Sequence, residues 1–108
     1  MRKSAKIAEL NDILRMAFRG GKIMLTDGFN ALPEETKAKA MHAMRNYSDF
    51  DPINDLSGTH DFGAFIVDNM KFYFKIAYYD PTMQYGSDDP SNPAITKRVL
   101  TLMLAEEY

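Results

Sequence analysis

Residues 62–79 read FGAFIVDNMKFYFKIAYY, and this stretch decides the fold. Phe62 to Val67 and Met70 to Tyr79 are apolar, β-prone runs. Only Asp68-Asn69 stands between them, a pair that tolerates the left-handed backbone of a primed hairpin turn. In that register Val67 faces Met70, Phe65 faces Phe72 and Gly63 faces Phe74, with Ile76 and Tyr78 continuing the same side. This is the expected core face, and the Phe74 ring should cover the position where Gly63 has no side chain. The other side carries His60, Phe62, Ala64 and Ile66 with Lys71, Tyr73, Lys75 and Ala77. Its mixed character predicts a half-exposed face or one covered by a loop.

Outward from the hairpin, Ala5 to Phe18 places Ile7, Leu10, Ile13, Leu14, Ala17 and Phe18 at helical spacing. Ser4 is its expected cap, Gly20-Gly21 its stop, and Arg15 and Arg19 suit its negative pole. Lys22 to Thr26 reads as a short strand and Asp27-Gly28 as a turn. A second helix starts at Pro33, with Glu34 and Glu35 in its first turn and Ala40, Met41, Met44 and Tyr47 inward. Ser48 to Thr59 and Pro81 to Asn92 read as irregular loops. Asn92-Pro93 reads as the start of a third helix, with Ile95, Val99, Leu102 and Met103 on one stripe and Leu100 and Leu104 beside it. The expected architecture is a single α+β domain over residues 1–108. A small antiparallel sheet, the hairpin plus one further strand, packs against about three helices.

Composition bounds what such a domain does. The chain has 108 residues, 45% hydrophobic and 26% charged, and no cysteine. Disulfide scaffolds, thiolate metal sites and cysteine nucleophiles are therefore excluded. No apolar run approaches the ~18 residues of a membrane span, so a cytoplasmic location is expected. The net charge of −2 hides a split. Residues 1–24 hold six basic and two acidic side chains, giving +4. Residues 46–92 hold eight aspartates and two lysines, giving −6. A pI near 5.6 argues against direct nucleic-acid binding. The Asp-rich stretch instead suits a basic protein partner, with Asp49, Asp51, Asp55, Asp88 and Asp89 as the candidate contact residues.

One constellation carries possible chemistry. His60-Asp61 precedes the first hairpin strand and Asp80 follows the second. The extended register puts His60 opposite Ala77, Asp61 opposite Ile76 and Lys75 diagonal to His60. A histidine beside carboxylates is the minimum for general acid–base catalysis, with Lys75 or Arg98 to hold an anionic substrate. The plainer reading is that His60 and Asp61 bond the backbone of the 48–59 loop. Asp49, Asp51, Asn54 and Asp55 resemble the start of a calcium loop, but Asn54 stands where such loops need glycine and His60 where they need glutamate. No metal and no cofactor is expected.

The ordered series His60-Asp61-Phe62-Gly63-Ala64-Phe65, Lys75-Ile76, Tyr78-Tyr79-Asp80, Ser87, Asp89-Pro90, Thr96, Arg98-Val99-Leu100-Thr101, Met103-Leu104-Ala105 and Glu107-Tyr108 resembles a small family of bacterial proteins of unknown function. That family occurs mainly in alphaproteobacteria, often on plasmids and other mobile elements. Gly21 to Gly28 also fits, and the resemblance runs from about Leu10 onward. The family tends to be acidic at the positions of Thr59 and Ala77, where this chain departs. The resemblance implies no activity; its setting implies a mobile-element accessory role, such as inhibition of a host defence nuclease. Three classes of function follow: an interaction module with an acidic surface, a small hydrolase using His60, Asp61, Asp80, Lys75 and Arg98, or a homodimer built on an uncovered sheet face or edge.

Overall fold

A computed structural model describes residues 2–108 of the chain. Its elements are α1 (Lys3–Ala17), β1 (Gly21–Leu25), α2 (Asp27–Asn30), α3 (Glu34–Arg45), β2 (Phe62–Val67), β3 (Met70–Tyr79), β4 (Lys97–Leu104) and a closing 3-10 turn (Ala105–Glu107). The fold is α+β, and its four strands run in the order β1-β4-β3-β2. β1 lies parallel to β4, and the other pairs are antiparallel, so the sheet is mixed.

The hairpin has the expected register, Val67 with Met70, Phe65 with Phe72 and Gly63 with Phe74. Asp68 and Asn69 both take positive φ, 51° and 64°, the signature of a type I′ turn. A Cβ on Gly63 would lie 2.7 Å from Cζ of Phe74 and 2.8 Å from Cε1 of Tyr47, so only glycine admits this ring packing.

The third helix expected from Pro93 is instead strand β4. Asn92 does accept a bond from the Ala94 amide, but as part of a turn. The run Lys97–Leu104 fits both periods: Val99, Leu102 and Met103 share a helical stripe, while Arg98, Leu100, Leu102 and Leu104 alternate as a strand. Tertiary pairing decides between them. β4 sits between β1 and β3, paired along both edges, and its alternate residues Leu100 and Leu102 enter the core under the helices.

All three helices cover one face. Leu14 of α1, Phe29 of α2 and Ala40 and Met44 of α3 pack against Phe72, Phe74, Ile76, Leu100 and Leu102. The Asp27-Gly28 turn is a short helix capped by the Thr26 hydroxyl, which accepts from the Phe29 amide. α1 departs most from its apolar stripe. It starts at Lys3 without a side-chain cap, and its buried residues are Ala8, Asn11, Leu14 and Arg15, while Ile13 and Phe18 are exposed. It ends at Phe18, which takes φ 58°, two residues before the expected stop. Gly21 is needed for approach: a Cβ there would lie 2.6 Å from the Arg98 carbonyl oxygen.

Candidate functional site

The polar residues turned inward by α1 start two hydrogen-bonded chains, and each fastens an acidic loop. In the first, Arg15 reaches the C-terminus of α3. Its Nη1 donates to the carbonyls of Met44, Arg45 and Tyr47 at 3.3, 3.3 and 2.9 Å. A guanidinium is well suited to the orphan carbonyls of a helix end, whose partial charge is negative. Nη2 of Arg15 donates to Asp12 at 2.9 Å, and Asp12 in turn faces Nδ1 of His60 at 3.0 Å. The other ring nitrogen lies 3.7 Å from Asp55, whose side chain is only 7% exposed and also accepts the His60 amide. Phe50 lies flat on the imidazole, centroids 4.0 Å apart, with the Arg15 guanidinium 5.3 Å from its ring centre.

The second chain runs through Asn11, which is fully buried. Its amide donates to the Thr59 carbonyl and to the Tyr78 hydroxyl, at 2.9 and 2.8 Å. Tyr78 donates onward to Asp61 at 3.1 Å. Oδ1 of Asn11 accepts from Nε of Arg98, and Nη2 of Arg98 donates to the Pro90 carbonyl. Burial lowers the Arg98 guanidinium from its ordinary value and pushes the Tyr78 hydroxyl up to about 12. Every polar atom of Asn11 thus has a partner, the condition under which a buried amide is tolerated.

These chains disperse the acid–base set expected from the sequence. His60 has φ 57°, so its ring leaves the alternation of β2 and turns to the helical face instead of lying opposite Ala77. Lys75 points to the other face of the sheet, with its Nζ 5.4 Å from the Tyr108 ring centre, so it is not beside His60. Asp61 does lie opposite Ile76, whose amide donates to its carbonyl. Asp80 closes its own turn, accepting from the Thr82 hydroxyl at 2.7 Å and from the amides of Thr82, Gln84 and Tyr85. Those bonds, the Thr82 hydroxyl first, hold its carboxyl below the usual range. Arg98 is buried within the second chain. What remains around His60 is Asp12 and Asp55, on different ring nitrogens. Among the described residues no three such groups converge as a metal site would need.

Three depressions share His60 in their lining. One, about 630 Å³, runs along α1 past Ala5, Glu9, Ile13 and Met16. The second, about 420 Å³, lies between the start of α1 and Asp51, Pro52 and Leu56. The third, about 360 Å³, reaches Arg45 and Ser48. Of the candidate contact aspartates, Asp49, Asp51 and Asp88 are exposed, Asp89 is half-buried and Asp55 faces inward. Asp51 caps the amides of Ile53 and Asn54 at 2.8 Å each, and Asp89 holds Ser91 and lies 3.6 Å from Lys3. Both loops therefore border the first turn of α1. Between these aspartates, Ile53 and Leu56 stand 87% and 88% exposed.

Sequence reasoning missed Asn11, Asp12, Arg15, Phe50, Ile53 and Leu56. The one signal was Asn11 and Arg15 flanking Leu14, polar residues beside an apolar position; nothing in the sequence connects Asp12 to His60, 48 residues away.

No curated protein and no solved structure matches the chain significantly. A family described as a protein of unknown function (DUF3768) matches residues 25–107, which spans α2, α3, β2, β3, β4, both acidic loops and the closing turn, but not α1 and only the last residue of β1. The chain belongs to this DUF3768 family.

Proposed function

We propose that the protein is an interaction module, without catalysis of its own, that presents the 48–59 loop and the neighbouring 86–91 loop to a basic protein surface. The observation that carries this reading is the pair Ile53 and Leu56, almost wholly solvent-exposed between carboxylates, on a loop whose base is fastened at Phe50, Asp55, Thr59 and His60. Apolar anchors within a charged rim are the usual anatomy of a binding patch, and a loop fixed at its base loses less entropy on docking. Asp49, Asp51 and Asp88 form no intramolecular ion pair among the described residues, so their charge is free for a partner. The proposal extends to a mobile-element accessory role, with a defence nuclease as the basic partner.

The test is transformation by a targeted plasmid of a bacterial host carrying a restriction or CRISPR system, with and without the protein. The wild-type chain is expected to protect the plasmid. Asp49→Lys/Asp88→Lys and Ile53→Ser/Leu56→Ser should each abolish protection while leaving thermal unfolding unchanged. Protection that survives both sets of changes refutes the surface assignment.

A second reading takes Asp12–His60 as an acid–base pair, favoured by the three depressions that meet at the ring. It is weaker because Lys75 and Asp80 are elsewhere and the Arg15 guanidinium is engaged by α3 and Asp12. Loss of protection on His60→Gln, with the loop's fold intact, would favour it over the binding surface.

A further inference from the structure

Among the described residues no helix packs on the other face of the sheet; Met103 is buried there and Tyr108 lies over Phe62 and Tyr73, while the surrounding strand positions carry lysine without any carboxylate. By register, Lys71 and Lys75 of β3, Lys97 of β4 and Lys22 of β1 share this face. Among the described residues none of the four takes part in an ion pair. Glu106, beside Lys71, borders the face, and Glu107 is turned away to the β1–α2 junction.

Aromatic rings lie between these charges. Phe62, Tyr73 and Tyr108 pack edge to face or tilted, with centroids 5.1–6.0 Å apart. Lys71 stands 5.4 Å from the Tyr73 ring centre, and Lys75 the same distance from that of Tyr108, which is 70% exposed. At the far end a groove of about 460 Å³ is lined by Lys22, Met83, Lys97 and Val99. The lysines therefore form a track along β3, which at ~3.3 Å per residue spans about 26 Å from Lys71 to Tyr79.

We infer that this face binds single-stranded nucleic acid, the lysines tracking phosphates and Tyr73 and Tyr108 offering rings to bases. The chemistry favours a single strand over a duplex, because stacking on exposed rings needs unpaired bases. A second copy of this chain is a poorer fit, since two such faces would bring four lysines against four. The acidic pI does not count against the proposal, because it averages this face with the aspartate loops at the other side of the sheet.

The test is fluorescence anisotropy with labelled oligothymidylate of about twelve nucleotides, a length that covers the site sizes of comparable surfaces. Wild-type protein at low salt should bind saturably and weaken steeply as salt rises. Lys71→Gln/Lys75→Gln should weaken binding about tenfold or more and flatten the salt slope by roughly 1.4. Tyr108→Ala should weaken it about tenfold with the slope unchanged. Ile53→Ser/Leu56→Ser should leave binding intact, so failure here is separable from failure of the acidic-loop proposal. The inference is overturned by an absence of saturable binding at low salt. It is equally overturned by tighter binding of the matching duplex, or by an equal loss on Lys6→Gln/Lys37→Gln. A wild-type dimer that Tyr108→Ala dissociates would assign the face to a second copy.

Discussion

Tyr78 shows how one residue couples burial to pH. Its hydroxyl accepts from Asn11 and donates to Asp61, and burial raises it to about 12 in the folded chain against 10.0 for the free side chain. The folded state thus holds its proton more tightly than the unfolded state, so its stabilisation is complete below pH 10 and declines as pH rises through about 12. Tyr78→Phe is expected to remove this alkaline decline in urea unfolding followed between pH 9 and 12. At neutral pH it should cost about 1–3 kcal/mol, because one Asn11 hydrogen and Asp61 lose their partner. An unchanged alkaline slope would mean that another group governs it. Gly63 and Phe74 were legible from the sequence because strand register is fixed by the turn and has period two. His60 was not, because a single positive φ turns its ring to the opposite face and period-two reasoning fails there.

At the scale of elements, the C-terminal segment was misread and the hairpin was read correctly, for related physical reasons. The hairpin carries its own turn, so local sequence specifies its pairing. β4 has no local partner: it pairs with β3 across 17 intervening residues and with β1 across 71. Its apolar content follows from a central place in the sheet, which only the assembled fold supplies. The end of β4 is held by Glu107, which accepts from the Thr26 hydroxyl at 2.6 Å, the Leu104 amide at 2.9 Å and the Gly28 amide at 3.0 Å. These bonds, the Thr26 hydroxyl first, hold its carboxyl below the usual glutamate range. A depressed folded pKa adds stability that is present above the unfolded value and lost as pH falls through the folded one. Glu107→Gln is therefore expected to flatten the acid side of the stability profile and to speed hydrogen exchange at the Gly28 and Leu104 amides. Exchange unaltered at both amides would show that the 3-10 turn is held by Tyr108 packing instead.

At the scale of the molecule, α1 is the hub on which both acidic loops depend, although the family match begins only at residue 25. Leu14 contributes to the core, yet the helix's larger effect is polar. Without it Arg98 loses Asn11, Tyr78 loses its donor, His60 loses Asp12, and the carbonyls at the end of α3 lose Arg15. Losing a hydrogen bond to a charged group such as Arg98 costs about 1.5–3 kcal/mol, and the unmet Tyr78, His60 and α3 carbonyl partners add to that. Against a typical total of about 5–15 kcal/mol for a domain, these losses together with that of Leu14 are enough to remove the native state. Deletion of residues 2–19 is accordingly expected to abolish cooperative urea unfolding. The milder Asn11→Ala should retain the transition while lowering its midpoint and exposing the 48–59 and 86–91 loops to limited proteolysis together. The joint response is the discriminating result, because Asn11 bonds the Thr59 carbonyl and, through Arg98, the Pro90 carbonyl. If only one loop became sensitive, the two would be fastened independently, and the acidic surface would be two separate loops instead of one patch organised by a single buried amide.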